Sequence, residues 1–328
     1  MIISCTIVES NRINHQGDEN VKNQLRSSRV AIIGTGAVGS TTAYTLLLRE
    51  RVSELVLIDA NKDKALGEAL DMNHGLPFTG GVKLWAGDYS DCADADIIVI
   101  AAGASQRPGE TRIDLLKRNS DIFDSIIKNI VKYNDHGIIL VATNPVDILS
   151  YVSLKKSGFP SNRVIGSGTL LDSARFRYLI GQNKGINPRS IHAHIVGEHG
   201  DSELPLWSLA NVAGIGLEFS PEDREQIFNS TKNAAYEIIN AKGATSYAIA
   251  LALDRIIVSI LQDEGSVLNV STLLTDYNGV SDVYLGVPSI VDRSGVRQVL
   301  DLQLSDQELI QFQNSGNKLK AEIAKLDL

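Results

Sequence analysis

Disulfide bonding is the first thing this chain does without. Cysteine occurs twice in 328 residues, at Cys5 and Cys92. Two thiols in so long a chain make no disulfide framework, and a reducing compartment such as the cytoplasm is the simpler setting. Long apolar runs are also absent, since no stretch approaches the ~20 residues that cross a bilayer. The short run Ile2–Val8 has no basic flank before it and no small-residue cleavage site after it, so a secretory signal is not expected. Basic excess is missing too. Lys and Arg number 31 against 39 Asp and Glu, a formal charge of -8, which argues against nucleic-acid backbones or anionic membranes as main partners. Neither internal repeats nor low-complexity segments occur.

What is present describes a globular chain. Hydrophobic residues make up 43% and charged residues 21%, and the length suits two domains. Residues 1–28 are polar and irregular, a tail or an arm toward a neighbouring subunit. From Arg29 onward apolar strands alternate with helical segments: Arg29–Gly34, Glu54–Asp59, Val82–Gly87, Ala95–Gly103 and Gly137–Pro145 read as strands, with helices over Ala37–Glu50 and Asp63–His74. That alternation predicts an α/β fold with a doubly wound parallel sheet. Past about residue 165 the texture changes. Helices are expected over Leu170–Gln182, Pro221–Ala241 and Ser246–Gln262, an extended piece over Ser190–Val196, and antiparallel strands between Ser266 and Leu302. Ser305 and Glu308 form a capping box that opens a last helix. The expected division is therefore a dinucleotide-binding domain over 29–165 and an α+β catalytic domain over 166–328.

The sequence Gly34-Thr35-Gly36-Ala37-Val38-Gly39 follows a predicted strand and opens a helix, the context in which this spacing binds a dinucleotide. Gly34 permits the tight turn, Gly36 lets the backbone approach a pyrophosphate, and Gly39 lets helix and strand pack closely. Asp59 ends the second strand about 20 residues further on, where a carboxylate binds ribose hydroxyls and repels a 2′-phosphate, so NAD is favoured over NADP. The connection after Gly103 begins where ligands bind in such folds; the pattern leaves open a mobile lid or an ordinary strand-to-helix link.

Two segments carry the chemistry. Asp172-Ser173-Ala174-Arg175 puts a carboxylate and a guanidinium one helical turn apart, and Gly197-Glu198-His199-Gly200-Asp201 supplies an imidazole. A carboxylate fixes an imidazole's tautomer and raises its pKa, and a guanidinium grips a substrate carboxylate through paired hydrogen bonds. The plain alternative for Asp172 and Arg175 is a surface i,i+3 ion pair. His192 and His194 alternate and would share one side of a strand, but no further ligand has the spacing of a metal site.

Five motifs in order, from the glycine turn through Gly103-Ala104-Ser105-Gln106-Arg107-Pro108-Gly109-Glu110-Thr111-Arg112, Asn144-Pro145-Val146-Asp147 and Leu171-Asp172-Ser173-Ala174-Arg175 to Gly197-Glu198-His199-Gly200-Asp201, resemble the bacterial L-lactate dehydrogenases of the lactate/malate dehydrogenase superfamily. The resemblance runs from about Arg29 to the C-terminus. It implies an NAD-dependent reduction of pyruvate to L-lactate, with malate or another 2-hydroxy acid as the alternative substrate. It implies His199 as proton donor, Asp172 as its orienting partner and Arg112 on a closing lid as the group that polarises the carbonyl. Arg175, Gln106, Asn144 and Thr245 are implied to bind substrate, and Gly34, Gly36, Val38, Gly39, Asp59, Asn144 and Ile249 to bind the cofactor. The lid residue six before Arg112 is Gln106; malate enzymes carry arginine there, and a neutral glutamine leaves a second substrate carboxylate uncompensated. Arg107 is its neighbour, but the spacing to Arg112 fixes the register. In members activated by fructose 1,6-bisphosphate, the positions matching Arg177 and His192 bind the sugar phosphates. The resemblance also implies a homotetramer.

Overall fold

The computed structural model describes residues 28–104, 109 and 112–326. The expectations for residues 1–27 and for Gln106 lie outside the described residues.

Strands and helices alternate down the first half: β1 (Arg29–Ile33), α1 (Ala37–Leu48), β2 (Glu54–Ile58), α2 (Lys62–His74), β3 (Lys83–Ala86), β4 (Ile97–Ile100), α3 (Arg112–Ile130), β5 (Ile138–Val141), α4 (Val146–Ser157) and β6 (Val164–Gly166). The strands pair in the order β3-β2-β1-β4-β5-β6, all parallel. Their near-continuous apolar character follows from burial on both faces. Ala31, Ile33, Val56, Ile98 and Ile139 point into one core, and Val30, Ile32, Leu55, Ile97 and Ile138 into the other. The strand order reverses between β1 and β4, and the crevice beyond the carboxyl ends there is where such sheets take ligands.

Two elements of this half leave no clear trace in the sequence. Helix α4 buries every residue from Val146 to Ser153, so it has no polar face to betray a helical period. Strand β6 is three residues long.

The second half contains α5 (Leu170–Lys184), β7 (Ile191–His192), β8 (Ile195–Val196), β9 (Leu204–Pro205), β10 (Asn211–Val212), β11 (Ile215–Gly216), α6 (Pro221–Lys242), α7 (Tyr247–Leu261), β12 (Ser266–Leu274), β13 (Val283–Asp292), β14 (Gly295–Val299) and α8 (Asp306–Ile323). Strands β12 to β14 form the expected antiparallel ladder. They are not a separate sheet. Ser271 of β12 bridges Gly166 of β6, so one nine-stranded sheet crosses from the first half into the second. Ser305 caps α8 as its sequence predicts: its hydroxyl accepts from the Glu308 N–H, and the Glu308 carboxylate accepts from the Ser305 N–H at 3.0 Å. The extended piece Ser190–Val196 differs from expectation. The chain changes sheets within it, because β7 pairs with β10 while β8 pairs with β9. His192 therefore ends exposed, whereas His194 turns inward with Nδ1 2.9 Å from the Asn269 Oδ1. No helix among the described residues is long and apolar enough to cross a membrane.

Candidate active site

The glycine turn joins β1 to α1 at the carboxyl edge of the sheet. Gly34 has φ +97°, and a Cβ on it would lie 2.5 Å from the Ala102 nitrogen at the end of β4. A Cβ on Gly39 would lie 1.9 Å from the Gly34 carbonyl oxygen, so the turn closes only with hydrogen at both positions. Gly36 differs: a Cβ there meets nothing within 4 Å. It is the N-cap of α1 without a side-chain cap, so no side chain of its own takes up the first N–H groups of the helix. Those groups are the donor set a pyrophosphate needs.

Asp59, just past β2, accepts from the Thr35 N–H at 2.7 Å, the Thr35 hydroxyl at 2.9 Å and the Asn61 N–H at 2.9 Å. Burial opposes its charge, but these hydrogen bonds outweigh it and hold the carboxyl below its ordinary pKa. It is anionic at neutral pH and suits ribose hydroxyls rather than a phosphate. Val38 on α1 and Ile249 on α7 both pack, half-buried, on the same core. Asn144 is exposed at the end of β5, and Thr245 lies in the link between α6 and α7. Together these residues fit a bound NAD, which the turn, the helix terminus and Asp59 would hold.

The second group of residues meets around one carboxylate. Asp172 sits in the first turn of α5, 2% exposed. Its Oδ1 accepts from the Arg175 Nη1 at 2.9 Å, and its Oδ2 lies 2.5 Å from the His199 Nδ1. The surface ion pair allowed by the sequence is thus not what forms; the pair is buried. Burial opposes ionisation of Asp172, yet His199 and Arg175 hold its carboxyl well below the usual range. Burial likewise opposes charge on His199, but Asp172 dominates in sum and pushes the imidazole up to about 9. Arg175 makes no other described bond, so the rest of its fork is available to a ligand.

His199 rides on a loop that is anchored on three sides. Gly197 pairs with Gly286 of β13 through N–H···O bonds of 2.9 and 2.8 Å. The Glu198 N–H donates to Ser315 of α8 at 2.8 Å, and Lys318 pairs with the Glu198 carboxylate at 2.8 Å. The His199 N–H donates to Asp147 at 2.7 Å, whose other oxygen accepts from the Ser271 hydroxyl at 2.5 Å. Asp147 belongs to the first turn of α4, the helix that starts at the end of β5. With neighbouring strands ~4.8 Å apart, β5 stands about 10 Å from β1 across the sheet. The imidazole loop is therefore tied to the same carboxyl edge as the glycine turn.

Sequence reasoning missed two members of this group. Asp147 closes the Asn144-Pro145-Val146-Asp147 motif, in which the resemblance assigns a role to the asparagine alone. It is 2% exposed, and burial pushes its carboxyl up to about 6 against the hydrogen bonds from Ser271 and His199. Glu203 is 7% exposed. Burial and the Asp172 charge push its carboxyl up to about 8. Nothing in the composition of Asp201-Ser202-Glu203 distinguishes it from a surface acid.

The remaining expected residues fall elsewhere. Arg112 opens α3, but its side chain, like all of Gln106, is outside the described residues. Arg177 on α5 is half-buried and its Nε donates to the Pro188 carbonyl at 3.4 Å; burial lowers its pKa. Arg177 and His192 both bear on His194, whose pKa is lowered by burial and by those two neighbours. Cys92 is a free, buried thiol, pushed up to about 12 mainly by that burial.

Two family models cover nearly all of this chain: the NAD-binding domain of lactate/malate dehydrogenases matches residues 28–166, and the α/β C-terminal domain matches 169–327. The chain belongs to the lactate/malate dehydrogenase family. The L-lactate dehydrogenase of Acetivibrio thermocellus is 53% identical over 309 residues, covering 92% of this chain and 98% of that protein. That of Priestia megaterium is 52% identical over 303 residues, covering 90% and 95%. A crystal structure of the minor L-lactate dehydrogenase of Enterococcus mundtii in its ligand-bound form is 43% identical and has a TM-score of 0.90 over 92% of this chain and 99% of that one. This family member is accordingly an NAD-dependent oxidoreductase with a Rossmann-like parallel sheet and an α/β C-terminal domain.

Proposed function

We propose that the protein is an L-lactate dehydrogenase, reducing pyruvate with NADH and oxidising L-lactate with NAD in the reverse direction. The observation that carries this reading is the Asp172 bridge, which sets a proton-bearing imidazole and a guanidinium fork on either side of one buried carboxylate. Names of relatives at about half identity over nearly the full chain point the same way.

The chemistry follows from charge. NADH, when bound, supplies the hydride that adds to the keto carbon. Arg175 grips the substrate carboxylate and fixes which face of the carbonyl is presented. His199, protonated at neutral pH because Asp172 raises its pKa, gives its proton to the keto oxygen as negative charge builds there. Asp172 stabilises the imidazolium before transfer and holds the tautomer afterwards. Arg112 polarises the carbonyl, and Asn144 and Thr245 complete the substrate pocket. Lactate oxidation runs the same steps backward, with neutral His199 taking the hydroxyl proton.

Gln106 sets the preference for a methyl group over a second carboxylate. Replacing it, Gln106→Arg, is expected to raise kcat/KM for oxaloacetate relative to pyruvate by at least about a hundredfold, because an otherwise uncompensated buried charge gains a partner. Steady-state kinetics with both acids measure this; an unmoved ratio removes Gln106 from the explanation.

We further assign Arg177 and His192 to a fructose 1,6-bisphosphate site. Arg177 and His192 lie near enough to His194 to bear on its charge, and two copies of Arg177 and His192 across a symmetry axis would make a cationic pocket in an acidic protein. A bisphosphate relieves that repulsion and favours the assembled enzyme. The expected result is a lower apparent KM for pyruvate with the sugar bisphosphate, by about tenfold, and a larger effect at pH 6 than at pH 8, where imidazoles carry less charge. Identical saturation curves with and without it at both pH values reject the site. A homotetramer fits the exposed apolar residues Tyr44, Leu48, Phe78 and Tyr247, which surround one cavity between α1, α2 and α7. A cytoplasmic setting fits the free thiol of Cys92.

A further inference from the structure

Behind the catalytic loop lies a groove of about 860 Å³ between α6, α8 and the segment from Asp201 through β9 to Ser208. Glu203 stands in its wall and reaches the catalytic cluster from behind. One nitrogen of His199 and one carboxylate oxygen each of Asp172 and Glu203 all lie within 4.8 Å of one another. The Glu203 Oε1 is buried and has no hydrogen-bond partner among the described residues. A carboxyl group so placed gains little for the fold: it is desolvated, it faces another carboxylate, and no donor among the described residues meets its Oε1.

We propose that Glu203 is a positioning residue for proton transfer: its buried, unpartnered carboxyl beside Asp172 and the His199 ring governs how firmly the imidazole holds its proton. This rests on the reading of His199 as the proton donor and extends it.

The charges around the cluster give the direction. Asp172 and Arg175 face Glu203 from α5, His199 from its own loop and Lys232 from α6. His199 itself is faced by Asp172, by Asp147 from α4 and by Glu203. On α8 the charged groups at the groove are already engaged, Lys318 with Glu198 and Glu308 with Ser208 and Ser305. Asp172 penalises a second anion beside it, so Glu203 keeps its proton at neutral pH. Glu203 and His199 are both held above their ordinary values, and each bears on the other. A Glu203 anion beside the ring opposes loss of the imidazole proton, and the two groups titrate as a pair. Glutamine has the same shape and cannot supply that anion.

Kinetics of Glu203→Gln in both directions test this. With pyruvate and NADH, the alkaline limb of kcat/KM is expected to move down by about one pH unit, because the imidazolium is lost earlier. With lactate and NAD, the rising limb moves down by the same amount, because neutral imidazole appears earlier. Near pH 8 the variant is then slower with pyruvate and faster with lactate than the parent, and Glu203→Asp restores part of the shift. Limbs that stay where the parent has them overturn the proposal, as does a loss that is uniform across pH, which marks a structural role. Should Glu203→Gln not fold, the ¹⁵N resonances of His199 in the parent decide the matter. Two titration steps are expected; a single step overturns the proposal. His199→Gln serves as the separate check on the underlying reading, since abolition of activity there together with unmoved limbs in Glu203→Gln would overturn the role of Glu203 alone.

Discussion

Asp172→Asn is expected to lower kcat for pyruvate reduction about a thousandfold while NADH still binds. The carboxylate has both oxygens committed, one to Arg175 and one to His199. An asparagine keeps one acceptor and turns the other into a donor, so either the guanidinium or the imidazole N–H meets a donor. The imidazole loses the charge that raises its pKa, and the neutral, wrongly oriented ring no longer protonates the keto oxygen. Stability carries the same signature. His199 titrates higher in the folded chain, up to about 9 against an unfolded 6.5, so its contribution is fully present below pH 6.5 and is lost as pH rises through about 9. Asp172 titrates lower in the folded chain, so its contribution is present above its ordinary range and is lost as pH falls through its lowered folded value. The gap in unfolding free energy between parent and variant is therefore widest near pH 5 to 6.5 and narrows toward pH 9. Stopped-flow NADH oxidation and urea melts at several pH values measure both effects. A variant within tenfold of the parent's kcat would remove Asp172 from the mechanism.

Arg175→Lys is expected to raise the KM for pyruvate about a hundredfold, with a smaller change in kcat. A guanidinium presents two parallel N–H groups to a carboxylate, whereas an ammonium presents a point charge on a flexible stem. Among the described residues only Nη1 of Arg175 is engaged, by Asp172 at 2.9 Å, and the side chain is 14% exposed. Lysine has to choose between that internal partner and the ligand. The interaction is made with the substrate carboxylate, which keeps its charge throughout the reaction, so the loss falls mainly on KM. Steady-state kinetics settle the outcome: an unchanged KM would mean that the carboxylate is held elsewhere.

The parts of the site that could be read before any coordinates were those whose chemistry depends on spacing. The glycines of 34–39 carry a backbone geometry that only glycine satisfies, which the clash distances at Gly34 and Gly39 make concrete. Asp172 and Arg175 share a helix face because they are three apart. What escaped reading depends on burial, which an acidic letter does not disclose. Asp147 and Glu203 are drawn inward by packing between elements far apart in sequence, α4 against β12 and the catalytic loop against α6 and α8. The same limit applies to the fold. Helix α4 is buried on every side from Val146 to Ser153, and the pairing of β6 with β12 joins residues about a hundred positions apart, so neither leaves a local signature.

That seam has a consequence for how the enzyme moves and how it is inherited. Ser271 bridges Gly166 across the join and at the same time holds Asp147, which in turn holds the backbone of His199. The weld between the two halves is thus also the mounting of His199. A displacement of one half against the other would carry the imidazole with it. A chimaera that joins one relative's coenzyme half to another's C-terminal half has to preserve this stitch, or it keeps every named reactive residue and still misaims the ring.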